Sequence, residues 1–265
     1  MMEPTSTRRV ASHWRWISGV VALGLAAGLG LLVMLRESPF DLDADWMTDV
    51  LAERGPVLEV LAMLMDRIGG GPIGVVVVPL GLVALLLIAR RPWGALFSII
   101  AAALSAAIVQ LLKGTFARAR PEEILVTADF GSFPSGHVAN AATLATTIVL
   151  IFGLSRSRAW VWMLGAGWIV AMALSRTYLG AHWVTDTIGG ALIGIAVAVI
   201  VWAPFVTRLE REPRPSKNAP TPTGAAATPL TPAEGAPTLG AAAGSRLRAP
   251  AESLSPHWRD RCPSG

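Results

Sequence analysis

What most constrains this chain is a set of six apolar runs, at about residues 16–35, 72–89, 92–112, 138–154, 159–175 and 184–205. Each approaches the roughly 20 helical residues needed to cross a hydrocarbon core about 30 Å thick. Within lipid a segment must satisfy its own backbone N–H and C=O groups, so runs of this length are expected to be helices. Composition points the same way: 53% of residues are hydrophobic and 15% are charged, against about 25% charged in soluble domains. The expected fold is all-α, a polytopic membrane bundle of six transmembrane helices.

A net charge of +4 and a pI near 10.2 would suit a nucleic-acid binder, but the basic residues sit at the ends of apolar runs and form no single stripe. No nucleic-acid partner is expected. Arg8, Arg9 and Arg15 precede the first run, Arg90 and Arg91 separate the second and third, Arg156 and Arg158 separate the fourth and fifth, and Arg208, Arg211, Arg214 and Lys217 follow the sixth. These clusters share one side, which the positive-inside bias makes cytoplasmic, with both termini inside. The first run reads as an uncleaved anchor, since Ile17–Leu35 exceeds the 7–15 residues of a signal h-region and ends at Arg36-Glu37 without an A-x-A site.

The domain plan is a cytoplasmic lead at 1–15, a membrane domain at 16–206 with an extracytoplasmic segment at 36–71, and a disordered cytoplasmic tail at 207–265. The tail is rich in Pro, Ala, Thr and Gly and holds too few large apolar residues to form a core. In the 36–71 segment, Trp46, Met47, Val50 and Leu51 would make an apolar face resting on the membrane surface, and Gly69-Gly70-Gly71-Pro72 would turn the chain into the second run. Cys262, the only cysteine, lies in the tail, so neither an intramolecular disulfide nor a thiolate metal site is expected. Gly24/Gly28 and Gly190/Gly194 have the small-xxx-small spacing that permits close helix contact.

On the outward side lie polar clusters of unusual cost for so oily a chain: Lys113 with Arg120-Pro121, Pro134-Ser135-Gly136-His137, and Ser175-Arg176 with His182 and Asp186. Buried cations and histidines are expensive unless they bind something, and an anion such as phosphate fits them. Asp186 follows His182 by four residues, on the same helical face, where its carboxylate could accept from one imidazole nitrogen and leave the other free to attack. Arg176 could offer a bidentate fork, with Gly180 supplying the turn that brings it back. Ser135 and the N–H groups near it stand at a helix N-terminus, a ready anion site, and His137 could protonate a leaving oxygen. Lys113 and Arg120 could neutralise phosphoryl oxygens.

Taken singly, each cluster also reads as ordinary interface chemistry: snorkelling cations, a Pro-Ser-Gly helix entry, a structural His–Asp pair. Arg118 fits either part. It is their placement on one membrane face that points to a phosphate site. A catalytic metal needs clustered carboxylates or histidines, and the carboxylates nearby are Glu122, Glu123, Asp129 and Asp186, so neither metal nor other cofactor is expected.

The joint spacing Lys113-x6-Arg120-Pro121, Pro134-Ser135-Gly136-His137 and Ser175-Arg176-x5-His182-x3-Asp186 resembles the three-part signature of the type 2 phosphatidic acid phosphatase (PAP2) family, the lipid phosphate phosphatases. The resemblance covers about residues 17–205. It implies a metal-independent phosphatase working through a covalent phosphohistidine. His182 would be the nucleophile, Asp186 would orient it, His137 would be the acid, and Lys113, Arg120, Arg176, Ser135 and Gly136 would hold the phosphoryl oxygens. It also implies a lipid phosphate or diphosphate substrate met among membrane lipids at the extracytoplasmic face. An isoprenoid diphosphate such as undecaprenyl diphosphate comes first, with phosphatidic acid or phosphatidylglycerol phosphate close behind. Phosphoryl transfer to an alcohol, and lipid-phosphate binding or transport without turnover, are the alternatives. The intact His182, Asp186 and His137 weigh against the last.

Overall fold

The computed structural model describes residues 4–36, 38–152 and 159–212, with side chains from Trp14 onward. The described residues fall in one compact unit. The first residues of the expected disordered tail, 207–212, are ordered instead, as the helix Val206–Arg211 and the buried Glu212; the rest of the tail, with Arg214, Lys217 and Cys262, and the connecting residues Arg156 and Arg158 lie outside the described residues.

Every regular element among the described residues is helical: α1 (Pro4–Leu35), α2 (Asp41–Ala52), α3 (Pro56–Gly69), α4 (Val78–Ile88, entered through a π-helical turn at Ile73–Val77), α5 (Pro92–Phe116), α6 (Gly136–Phe152), α7 (Ala159–Tyr178), α8 (Val184–Trp202) and the short α9 (Val206–Arg211). Prolines open α3 and α5, where their fixed φ suits the first turn and their missing N–H costs nothing. Four helical stretches are long and apolar enough to cross a membrane: Trp14–Leu35, Pro92–Phe116, Ala159–Tyr178 and Val184–Arg211. Pro56–Gly69 and Ile73–Ile88, bent by 46° at the glycine turn, would together make a fifth, broken span. The expected fourth run is an apolar helix of 17 residues, Gly136–Phe152.

The core joins α5, α6 and α8, where Phe97, Ala101 and Val109 meet Ala139, Leu150, Ile193 and Val197, with Ala26 of α1 against them. A Cβ on Gly194 would stand 2.7 Å from the Ala142 methyl, and one on Gly190 would press on the Ser135 carbonyl, so these glycines let α8 approach the α6 backbone. Gly24 and Gly28 have nothing within 4 Å of a built Cβ, so the close contact that their spacing permits is not made among the described residues. The basic ends gather at one pole. Arg15 lies 5.3 Å from the Trp202 ring, Arg208 4.2 Å from Trp93, and Arg91 Nε 3.3 Å from Glu212.

One expectation is corrected. Met47 and Val50 of α2 are buried, because α2 packs on α7 and α8, and only the flank with Leu42 and Leu51 is exposed. The face expected on the membrane surface is largely turned into the protein.

Candidate active site

At the pole opposite the basic ends, α5 delivers Lys113 in its last turn. Lys113 Nζ donates to Asp129 Oδ1 (2.6 Å) and the Gly131 carbonyl (3.3 Å). Arg120, in the α5–α6 connection, donates through Nη2 to the same Asp129 oxygen (2.7 Å) and to the Gly131 carbonyl (2.8 Å). Its Nη1 donates to the Ala181 carbonyl at 2.5 Å and stands 3.5 Å from His182 Nε2. Burial tends to raise the Asp129 pKa, but Lys113 and Arg120 outweigh it and hold the carboxyl below the usual range.

His182 lies in the turn between α7 and α8, formed around Gly180 at φ +66°. A side chain at Gly180 would also run into the Glu123 carbonyl. His182 is buried, and its Nδ1 sits 2.7 Å from the Ser132 carbonyl. A carbonyl can only accept, so Nδ1 carries the proton and Nε2 keeps a lone pair. The hydrogen bond expected from Asp186 is thus made by Ser132. Asp186 Oδ2 stands at 3.6 Å, in ion-pair range but beyond a good hydrogen bond. Burial, partly offset by Asp186, pushes the His182 pKa down to about 4, so the ring is neutral at pH 7.

Asp186 is fully buried and held on both oxygens, Oδ2 by the Trp183 N–H at 2.8 Å and Oδ1 by Arg118 Nη1 at 2.5 Å. The Ser135 N–H donates to the Asp186 backbone carbonyl at 3.0 Å, which ties the start of α6 to α8. His137, in the first turn of α6, points Nε2 at Asp66 Oδ1 of α3 (3.1 Å), and Arg176 Nη1 bonds that same oxygen. Ser135 Oγ and Arg176 Nε are buried without a hydrogen-bond partner among the described residues. Buried polar atoms ordinarily have partners, so a bound anion would find donors waiting.

Lys113, Gly136, His137, Arg176 and His182 line one cavity of about 540 Å³. It runs along α5 from Ile99 to Lys113, about 20 Å at 1.5 Å per helical residue, and faces Val76 of the π-helical turn and Pro79 and Leu80 of α4. The cavity therefore couples a cationic head to an apolar trough. A larger cavity of about 750 Å³, lined by Leu144, Ile148, Trp160 and Leu164 among others, holds no ionisable side chain and offers no chemistry.

The sequence-predicted residues thus converge: Lys113, Gly136, His137, Arg176 and His182 on the cavity, Arg120 touching His182, and Asp186 and Ser135 immediately behind. Sequence reasoning missed Asp66 and the part taken by Arg118. The signal for Asp66 was present, a carboxylate in the apolar helix α3 just ahead of the glycine turn.

An all-helical, multi-pass membrane protein with a buried cation-lined site at one pole is the class that fold and site define. Residues 93–210 match the PAP2 superfamily. It is 31% identical over 118 residues to phosphatidylglycerophosphatase B of Bacillus subtilis (strain 168), covering 42% of this chain and 58% of that protein. It is 41% identical over 63 residues to an undecaprenyl-diphosphatase of Sulfolobus acidocaldarius, 24% of this chain and 28% of that one. The chain thus spans less than two thirds of either relative. Among solved structures it resembles a transmembrane PAP2-type phosphatidylglycerolphosphate phosphatase from Bacillus subtilis, with a TM-score of 0.64 at 24% identity over 73% of this chain and 98% of that one.

Proposed function

We propose that this protein is an integral-membrane phosphatase that hydrolyses lipid phosphates or isoprenoid diphosphates through a phosphohistidine on His182. The observation that carries the reading is a neutral histidine whose Nδ1 is occupied by Ser132, so that Nε2 keeps its lone pair, on a ring that lines a cavity shared with Lys113, Arg176 and His137. Nε2 attacks phosphorus as the bond to the leaving oxygen breaks, and His137 supplies that oxygen with a proton. Lys113, Arg120, Arg176, Ser135 and the Gly136 N–H take the phosphoryl charge. Asp186 stabilises the positive ring. Water then attacks phosphorus, the P–N bond breaks, and His137 recovers a proton from the water.

The apolar trough accepts a lipid chain while the phosphate meets the cations. Six spans follow if the bent α3–α4 pair and the 17-residue α6 both count as crossings. The site then opens on the extracytoplasmic face, with both termini cytoplasmic by the positive-inside bias. Undecaprenyl diphosphate is the first substrate to try, followed by phosphatidylglycerol phosphate and phosphatidic acid.

The test is phosphate release from a panel of these lipids in detergent, with His182→Ala as the blank. The variant should bind substrate without turning it over. Turnover at the wild-type rate in His182→Ala would refute the mechanism.

A further inference from the structure

Behind Asp186 lies a charged assembly that the proposed chemistry does not use. Asp43, in the first turn of α2, is fully buried. Its Oδ1 accepts from the Thr185 N–H (2.9 Å), and its Oδ2 accepts from the Thr185 hydroxyl (2.7 Å) and from Arg118 Nη2 (2.7 Å). Arg118 Nη1 in turn donates to Thr185 Oγ1 (2.8 Å) and to Asp186 Oδ1 (2.5 Å). Its guanidinium lies 5.5 Å from the Trp183 ring centroid. Neither Asp43 nor Arg118 lines the cavity.

We propose that Asp43 and Arg118 are positioning residues for the nucleophile. This rests on the phosphohistidine reading of His182. Arg118 fixes Oδ1 of Asp186, so that Oδ2 remains directed at the His182 side of the carboxylate. Asp43 divides the charge of Arg118. Without Asp43, the guanidinium would have Asp186 as its sole carboxylate partner and would draw off the charge that must stabilise the His182 ring when it becomes cationic. The segment ahead of α4 therefore contributes to catalysis through α2, although none of α2 touches the phosphate.

The experiment measures lipid-phosphate turnover by purified wild type, Asp43→Asn, Arg118→Gln and the double variant, with Asp45→Asn as an exposed control on the same helix. Asp43→Asn and Arg118→Gln should each lower kcat between about ten- and a hundredfold, with KM within about twofold, since neither residue holds the phosphate. The double variant should be no worse than the poorer single, because both act through Asp186. Asp43→Asn leaves Arg118 paired with Asp186 and strands no buried charge, so it decides the matter if the variants that lack Arg118, and so unpair Asp186, do not fold. Asp45→Asn should match wild type. A wild-type kcat in folded Asp43→Asn or in the double variant, or a rise in KM at constant kcat, would overturn the proposal while leaving His182 as nucleophile if His182→Ala is dead. Turnover surviving in His182→Ala would overturn both readings.

Discussion

Gly70 offers a sharp perturbation of the proposed acid without touching it. Its backbone is extended, at φ −138° and ψ −166°, a conformation open to any residue, so Gly70→Ala adds only a methyl group. That methyl would lie 2.6 Å from His137 Cδ2 and nearer still to Nε2 and Cε1. The imidazole must retreat by on the order of 1 Å, which breaks its 3.1 Å contact with Asp66, and a misplacement of that size costs about 100-fold, or ~2.7 kcal/mol. The loss should depend on the leaving group. A lipid alkoxide needs the proton from His137, whereas p-nitrophenolate leaves readily without one. The assay compares kcat on a lipid phosphate monoester and on p-nitrophenyl phosphate for wild type and Gly70→Ala, with thermal melting as the check on folding. A hundredfold loss on the lipid with a much smaller loss on p-nitrophenyl phosphate is expected. Equal losses on both, or none, would refute the assignment of His137 as the acid.

The pH dependence carries a second expectation. With the His182 pKa lowered by burial to about 4, the nucleophile stays neutral well below the ordinary 6.5, so the acid limb of kcat/KM should fall near pH 4; a limb near pH 6.5 would contradict the burial argument. The alkaline limb should follow loss of the His137 proton and disappear with a substrate whose leaving group needs none. Glu212, whose carboxylate accepts from Arg91 Nε and from the Trp93 and Gly94 N–H groups at the start of α5, should be needed for stability. Removing its charge strands a buried Arg91, so Glu212→Gln should cost about 3 kcal/mol, and an unchanged melting midpoint in detergent would count against that. Finally, Asp129→Asn removes an anion from between Lys113 and Arg120 and should lower KM severalfold with kcat little altered, whereas a raised KM would show that Asp129 orients the cations.

Much of this architecture was legible because membrane helices announce themselves by length, and because the site's chemistry is concentrated in residues that are costly in lipid. Lys113, Arg176 and His182 stood out by that cost together with their placement on one membrane face, and the structure brings them to one cavity. Spacing failed where partners come from distant segments. The i, i+4 relation of His182 to Asp186 suggested a direct hydrogen bond, but Ser132, fifty positions away in sequence, takes Nδ1. Asp66 reaches His137 and Arg176 only because the chain bends after α3, and no local periodicity contains that bend. The inward turn of α2 was hidden in a similar way. Met47 and Val50 have a suitable spacing for either a lipid surface or a protein groove, and it is the buried Asp43 on the same helix that settles the choice for the groove.

The carboxylates of the site divide into two kinds by what holds them. Asp186 and Asp43 are fully buried and bonded on both oxygens to Arg118, Thr185 and the Trp183 N–H, so moving either would strand a charge at a cost of several kcal/mol. Asp129 is 55% exposed in its side chain and bonds both Lys113 and Arg120 through a single oxygen, so it can exchange its partners for water. A phosphoryl group arriving between these cations can take the place of Asp129 without displacing the charges that orient His182. Asp66 stands between the two kinds: its side chain is 26% exposed, and it shares one oxygen between Arg176 and His137. If phosphate draws Arg176 away, that oxygen is left to His137 alone, favouring its protonated form at the moment a leaving group needs the proton. Substrate binding and acid activation would then be linked through one carboxylate on the bent segment between α2 and α4.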